Sequence, residues 1–218
     1  MIVTAILSSI IEYLVGIYLL YIYKRDRTKI ALLFGTSILL YAIAHTIGGV
    51  VLSAIKLHYK YIEKEFVKDL NYKVFESLRN VLVGAFMALA LLGISELLAN
   101  TGEEKKANLV RIYSVIGLIL FLALRLYCVW VANNVRHPFF ALADWIFLIP
   151  GSLIIAVIGF MMFRLGGTIG TLLIALSFLI YAIILPLYAA WKGTPLLHLW
   201  YGLRIISDLL LLAGVLKL

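Results

Sequence analysis

Seven long apolar runs, separated by short polar connections, dominate the pattern of hydrophobic and polar positions along the chain. Each run is long enough to cross the hydrocarbon core of a bilayer as a helix, which needs roughly 20 apolar residues. None alternates with period two, as the strands of a membrane barrel do. The predicted spans cover residues 2–23, 30–52, 74–98, 109–131, 138–163, 168–191 and 195–216. The pattern therefore predicts an all-α polytopic membrane protein, a single transmembrane domain built as a seven-helix bundle.

Glycine, asparagine and proline mark the ends of the predicted spans. The predicted helix-ending residues are Gly102, Asn133, Gly166 and Gly193. Pro138 and Pro195 stand at the first turns of the fifth and seventh spans, where a missing N–H is harmless, and Thr194 is a candidate N-cap. Pro150 and Pro186 lie inside spans and predict bends.

The connection between the second and third spans has a helical pattern of its own. Its lysines recur every four residues, at positions 56, 60, 64 and 68, and its large apolar residues recur with helical spacing on another face. We expect an amphipathic helical extension over residues 56–70, which either continues the second span out of the membrane or lies in the interface. Residues 56–73 are also a candidate surface for a protein partner.

The composition excludes several classes of protein. Of the 218 residues, 64% are hydrophobic and 14% are charged, and the mean hydropathy is +1.08. Soluble domains have about 25% charged residues, so a soluble enzyme and a disordered chain are excluded. One cysteine, Cys128, excludes a disulfide scaffold. The sequence contains no phosphate-binding loop and no HExxH or GxSxG motif, and its four histidines lie in different segments, so we expect no cofactor and no metal.

The net charge of +8 comes mostly from lysines and arginines between the apolar runs, where they face water and lipid headgroups. They do not interleave with aromatic residues as in a nucleic-acid groove, so no nucleic-acid partner is expected. One side of the membrane receives Lys24, Arg25, Arg27, Lys29, Lys105, Lys106, Arg111, Arg164 and Lys217. The other receives Lys56, Lys60, Lys64, Lys68, Lys73, Arg136 and Lys192, with Arg79 at its border. The positive-inside rule narrowly favours an outer N-terminus and an inner C-terminus, and we expect the plasma membrane of a prokaryote.

Six ionisable residues fall well within the predicted spans and are the candidates for a binding site or pathway. They are Glu12, His45, Arg125, Asp144, Arg204 and Asp208. Each costs at least roughly 2.5–3.5 kcal/mol at the centre of a membrane helix, so they are expected to face the bundle interior. All six lie in the middle or outer half of the bilayer, and we expect them to converge on one polar core.

Two ion pairs follow from the spacing. Arg125 and Asp144 are nearly equidistant from the short turn between the fourth and fifth spans, so they lie at nearly equal depth on antiparallel helices. Arg204 and Asp208 are four residues apart on one face of the seventh span. Glu12 and His45 have no predicted partner. Because unpaired charges add nothing to the packing of helices, they favour a functional role for the core. A structural role, in which the pairs lock helices together, remains open.

One short segment resembles part of a known family. Residues 143–150, Ala-Asp-Trp-Ile-Phe-Leu-Ile-Pro, are similar to the third-helix segment of microbial rhodopsins, in which the Asp is the counterion of the retinal Schiff base. That family needs a lysine within its last helix, whereas the seventh span here carries Arg204, with Lys217 only at the chain end. Without an amine no Schiff base forms, so the resemblance implies no function for this chain.

Three classes of function fit such a molecule. The favoured one is a small transporter, channel or transport-complex subunit whose pathway runs through the polar core. The second is a receptor-like or scaffolding subunit that binds a small apolar ligand, a protein partner or a second copy of itself. The third is an intramembrane enzyme acting on a lipid, for which an Asp, His and Arg set offers acid–base groups. Beyond the lipid bilayer, the sequence names no partner.

Overall fold

A computed structural model describes residues 2–60, 62–191, 194 and 196–217. Throughout this part of the chain the regular secondary structure is helical. The α-helices are α1 (Ile2–Asp26), α2 (Lys29–Thr46), α3 (Leu52–His58), α4 (Glu63–Phe66), α5 (Leu70–Asn100), α6 (Glu104–Trp130), α7 (Pro138–Ala143), α8 (Ile149–Arg164), α9 (Ile169–Trp191) and α10 (Leu197–Leu216). Two π-helical segments, Ile47–Val51 and Asp144–Leu148, join α2 to α3 and α7 to α8.

Among the described residues, seven helical segments are long and apolar enough to cross a membrane. The spans, in order, are α1, α2 through α3, α5, α6, α7 through α8, α9 and α10. The prediction of an all-α seven-helix bundle is confirmed, and the chain is an integral membrane protein. The third span begins at Leu70 rather than at residue 74, so Glu76 and Arg79 lie well inside the helix.

The spans form a closed ring in chain order. Each span packs against the next one, and the seventh packs back against the first. The third span also contacts the fifth and is the most buried of the seven. Its side chains Phe86, Met87 and Leu91 are almost completely buried and contribute to the central apolar cluster. We call the end of the ring at which the first span begins and the second span ends the N-terminal face.

A π-helical segment in the fifth span accompanies Pro150. Proline has no N–H and its ring clashes with the carbonyl four residues earlier, here that of Ile146. Ile146 lies inside the π segment Asp144–Leu148, and Tyr113 of the fourth span donates a hydrogen bond to its carbonyl oxygen at 2.7 Å. The carbonyl that proline leaves unpaired is therefore satisfied from a neighbouring helix, as a backbone group in lipid must be.

The connection after the second span differs from the predicted amphipathic extension over residues 56–70. Helix α3 ends at His58, Lys60 has a φ of 50°, and only the short α4 follows before the third span. Phe66 and Val67 turn inward and pack with Ile47 of the second span in a small apolar cluster. Their burial favours a compact cap over a continuous helix, because a straight helix would leave these side chains away from the bundle.

Asp69 holds this cap to the start of the third span. One carboxylate oxygen accepts from the Tyr72 N–H at 3.1 Å, which caps α5, and the other accepts from Tyr59 Oη at 2.8 Å. The hydrogen bond from Tyr59, followed by that from the Tyr72 N–H, lowers the pKa of Asp69 below its usual 3.8.

Asp69→Ala is expected to lower the free energy of unfolding by about 1 kcal/mol at neutral pH, because it removes an N-cap. The pKa of Asp69 is lowered in the folded state, so its contribution is present above pH 4 and is lost as the pH falls through that lowered value. Asp69→Asn is the matched control, since asparagine caps a helix equally well without a charge. Denaturant unfolding in detergent at pH 7 and pH 3 measures both variants. An Asp69→Ala protein as stable as the wild type at pH 7 would contradict the assignment of Asp69 as the N-cap of α5.

The predicted helix-ending residues have the expected backbone where the structure describes them. Gly102, Asn133 and Gly166 all have positive φ, at 84°, 47° and 98°. Pro138 begins α7, and the N–H of the next residue donates to Nδ1 of His137 at 3.3 Å. The seventh span begins at Leu197, so Thr194 is not its N-cap, and the predictions for Gly193 and Pro195 lie outside the described residues.

Candidate functional site

Arg204 of the seventh span is the centre of a buried ionic cluster. Its Nη2 donates to Glu12 Oε1 at 2.6 Å, its Nη1 to Tyr41 Oη at 2.6 Å, and its Nε to Asp208 Oδ2 at 3.4 Å. These four residues come from the first, second and seventh spans, and each is 7% exposed or less. The ring closure between the seventh and first spans is what brings Glu12 to Arg204.

Aromatic rings surround the guanidinium. Its Cζ lies 4.7 Å from the ring centre of Tyr41 and 4.9 Å from that of Tyr181. Phe86 stacks on Tyr41 at 4.2 Å between ring centres. The rings shield the cluster from bulk water, and their faces interact favourably with the cation. In such a low-dielectric site, charge interactions are stronger than at a protein surface.

His45 extends the cluster to the outside of the ring. Its Nδ1 lies 2.8 Å from Glu12 Oε2, and about a quarter of its side chain is exposed, whereas that of Glu12 is 1% exposed. The sequence left Glu12 and His45 without partners, and the structure corrects this by pairing them with each other. The prediction that Arg204 pairs with Asp208 is confirmed, and the structure adds Glu12 to that pair.

The charges of the cluster do not balance. Arg204 carries one positive charge, while Glu12 and Asp208 carry two negative charges when both are ionised. One further proton, held by a carboxyl group or by His45, makes the cluster neutral. A low-dielectric environment favours that neutral state, so the cluster is chemically suited to bind one proton.

A cavity of about 20 Å³ lies against the cluster, with Ser177, Ser207 and Asp208 among its polar lining residues. This is room for one water molecule, which needs roughly 10–15 Å³. Ser207 donates to the Ser177 carbonyl at 2.9 Å, so this wall of the cavity is fixed by a contact between the sixth and seventh spans. A water here would have several polar partners, but a solute larger than water would not fit.

Arg125 and Asp144 form the ion pair that the sequence predicts, at the junction of the fourth and fifth spans. The Arg125 guanidinium lies over the ring of Phe140, with Cζ 3.5 Å from its centre, and 5.2 Å from the ring centre of Phe121. Asp144 is the first residue of the π segment and its side chain is 23% exposed. The pair is formally neutral.

A third pair, Glu76 and Arg79 of the third span, was not among the predicted site residues. Arg79 Nη1 lies 3.0 Å from both carboxylate oxygens of Glu76, and the Glu76 side chain is only 2% exposed. Gly48 of the π segment in the second span leaves room for Arg79, since a Cβ at Gly48 would lie 3.2 Å from its Cδ. The i, i+3 spacing of opposite charges in an apolar run was the signal available in the sequence.

The six predicted residues do not form one polar core. Glu12, His45, Arg204 and Asp208 are joined, while Arg125 and Asp144 form a separate pair; within the described residues no hydrogen bond or ion pair links the two groups. Arg125 and Asp144 lie towards the N-terminal face in their spans, whereas the cluster around Arg204 lies near the middle of its spans. The separation follows from helix order, because the first and seventh spans lie across the ring from the fourth and fifth.

Comparisons with known proteins identify no relative: no family model, curated protein or solved structure matches the chain. The described residues also contain no group of three or more His, Cys, Asp or Glu side chains placed to hold a metal ion.

Proposed function

We propose that this protein is a small proton-translocating membrane protein, acting as a transporter or as a subunit of a transport complex. The observation that carries the proposal is the cluster of Glu12, His45, Arg204 and Asp208, which has one unbalanced carboxylate in an apolar interior. Buried ionisable groups within a membrane are costly and mark proton and ion pathways. Ion pairs that only hold helices together would need equal numbers of positive and negative groups, without the additional carboxylate and His45.

The contacts provide a route for a proton from His45 to the interior. An imidazole can accept a proton on one ring nitrogen and release one from the other. Nδ1 of His45 is within hydrogen-bond distance of Glu12, and Asp208 is close enough to Glu12 to share a hydrogen bond with it, so a proton can pass between the two carboxyl groups while Arg204 keeps its charge. A water in the 20 Å³ cavity would extend the route beyond Asp208. We propose this order of groups as the middle part of the pathway.

The size of that cavity favours protons over larger solutes in this conformation. The lipid-enzyme hypothesis has less support, because among the described residues no serine or cysteine is hydrogen-bonded to His45, as a nucleophile activated by that imidazole would be.

We further propose that the N-terminal face is outside and that the membrane is the prokaryotic plasma membrane. The first hairpin supports this orientation, because Lys24, Arg25, Arg27 and Lys29 follow the first span and positive residues of a first connection favour the inner side.

Proton flux into proteoliposomes tests the proposal. The purified protein is reconstituted with trapped pyranine, and a valinomycin-mediated potassium potential drives protons inward. Glu12→Gln removes the titratable group at the centre of the route, and His45→Gln keeps a hydrogen-bonding side chain that cannot relay a proton as imidazole does. Each variant is expected to lower the initial rate about 100-fold, the size typical of losing a proton-transfer group.

Glu96→Gln is the matched control. Like Glu12, Glu96 is a glutamate paired with an arginine, here Arg111. It lies in the third span near the opposite end of the bundle, and its side chain is 29% exposed. Its flux is expected to equal that of the wild type. Wild-type flux no higher than that of protein-free liposomes would contradict the proposal, and so would undiminished flux in folded His45→Gln protein.

A further inference from the structure

A groove of about 140 Å³ lies between the first and second spans, and His45 is one of the residues that line it. Its wall on the first span includes Ile6 and Ile10, and its wall on the second includes Val50. These three side chains are 43–50% exposed on the outer surface of the ring, so the groove opens towards lipid rather than towards the centre of the bundle.

One ring nitrogen of His45 has no hydrogen-bond partner among the described residues. Both contacts of its ring, to Glu12 and to Arg204, are made by Nδ1; among the described residues Nε2 has no hydrogen-bond partner. Acyl chains offer no donor or acceptor, so an imidazole nitrogen facing them is left unsatisfied, which is unfavourable in hydrocarbon. An occupant with an oxygen at this position would satisfy it.

The depth of His45 excludes a phospholipid headgroup as that occupant. Glu12, its contact, lies nine residues into the first span from Val3, which places it about 14 Å along the helix. The hydrocarbon core is about 30 Å thick, so the pair is near its middle. A charged phosphate at this depth would lose its hydration, whereas a neutral molecule dissolved in the hydrocarbon reaches it freely.

The volume sets the size of the occupant. An engineered protein cavity of about 150 Å³ with apolar walls holds one benzene ring. A groove of about 140 Å³ with mostly apolar walls, lined in part by His45, therefore has room for a single six-membered ring carrying one hydrogen-bonding oxygen.

We propose that this groove binds a neutral, membrane-soluble one-ring molecule of the phenol class, whose hydroxyl forms a hydrogen bond with His45 Nε2. The aromatic ring of this ligand lies between the first and second spans, and the ligand enters the groove laterally from the bilayer. Because Nδ1 of the same imidazole contacts Glu12, the His45 side chain would connect the hydroxyl of the ligand to the buried carboxylate. The binding site stands independently of the proposed proton flux.

Titration of nanodisc-embedded protein with 4-methylphenol and with toluene tests the proposal. The two probes share a ring and a methyl group and differ by one hydroxyl. The readout is the ¹⁵N signal of His45, assigned by its loss in His45→Phe, at equal probe concentrations in the lipid phase. We expect saturable binding of 4-methylphenol about 10-fold tighter than that of toluene, as one net hydrogen bond provides.

Val50→Phe and Ile43→Phe are the matched pair of variants. Both add a ring to an exposed position of the second span, but only Val50 lines the groove. Val50→Phe is expected to abolish binding and Ile43→Phe to preserve it. Equal affinity for the two probes would mean that an acyl chain or any apolar molecule fills the groove, and would overturn the proposal, as would binding that survives Val50→Phe.

The two proposals can fail separately. Proton flux that persists in Val50→Phe while phenol binding is lost supports both the route and the groove as distinct features. Phenol binding to wild-type protein that carries no flux would support the groove and contradict the proposed transport.

Discussion

Replacing Arg204 with methionine is expected to lower the free energy of unfolding by about 3–5 kcal/mol, because removing one partner of a buried ionic group leaves the others uncompensated. Methionine matches the length of the arginine stem but provides none of its donors. Glu12 would lose its contact at 2.6 Å and Asp208 its contact at 3.4 Å, and both side chains are 5% exposed or less. Equilibrium unfolding in mixed micelles with increasing dodecyl sulfate measures the change.

Neutralising the stranded carboxyl groups separates charge from packing. Arg204→Met combined with Glu12→Gln and Asp208→Asn is expected to recover about half of the lost stability, since no unpaired charge remains buried. Arg111→Met is the control, because its pair with Glu96 is about one-third exposed and such pairs contribute about 0–1 kcal/mol. A triple variant less stable than Arg204→Met alone would show that the carboxyl groups are not held by the arginine.

Arg125→Leu is expected to be more destabilising than Arg125→Leu combined with Asp144→Leu. The single change strands Asp144 beside an apolar residue and is expected to cost about 2–4 kcal/mol, below the full range for a buried pair because Asp144 is 23% exposed. The double change replaces the pair with apolar side chains, which restores a neutral interface between the fourth and fifth spans.

Thermal unfolding of the two proteins in the same detergent compares them directly. The double variant is expected to have the higher melting temperature, although it also lacks the guanidinium over the ring of Phe140. Equal melting temperatures would show that the ion pair makes no contribution and that Arg125 is held by its aromatic contacts alone.

Spacing along the chain was enough to predict those contacts that depend on local geometry. A short turn places Arg125 and Asp144 at equal depth, and a separation of four residues places Arg204 and Asp208 on one face. Both pairs are present. The contact between Arg204 and Glu12 joins residues 192 positions apart, and no periodicity predicts which spans become neighbours when a ring closes.

Local patterns were misleading where burial competed with them. The lysine repeat at positions 56–68 is typical of an amphipathic helix, yet Phe66 and Val67 are buried and the chain turns at Lys60. The hydrophobic contribution of packing those side chains against the bundle exceeds that of continuing one helical turn. Glu76 and Arg79 were missed for a similar reason, because the start of the third span depends on the cap at Asp69 rather than on the apolar run.

The sequence by itself determined that the chain crosses a membrane seven times as helices and that its few internal charges must face inward. This follows because lipid cannot satisfy a backbone group or solvate an ion, whatever the arrangement of the helices. Only the tertiary structure decided that those charges divide into separate groups, that Glu12 meets both His45 and Arg204, and that His45 faces a lipid-side groove. These features depend on which helices pack together and at what rotation, and side-chain packing between distant segments sets both.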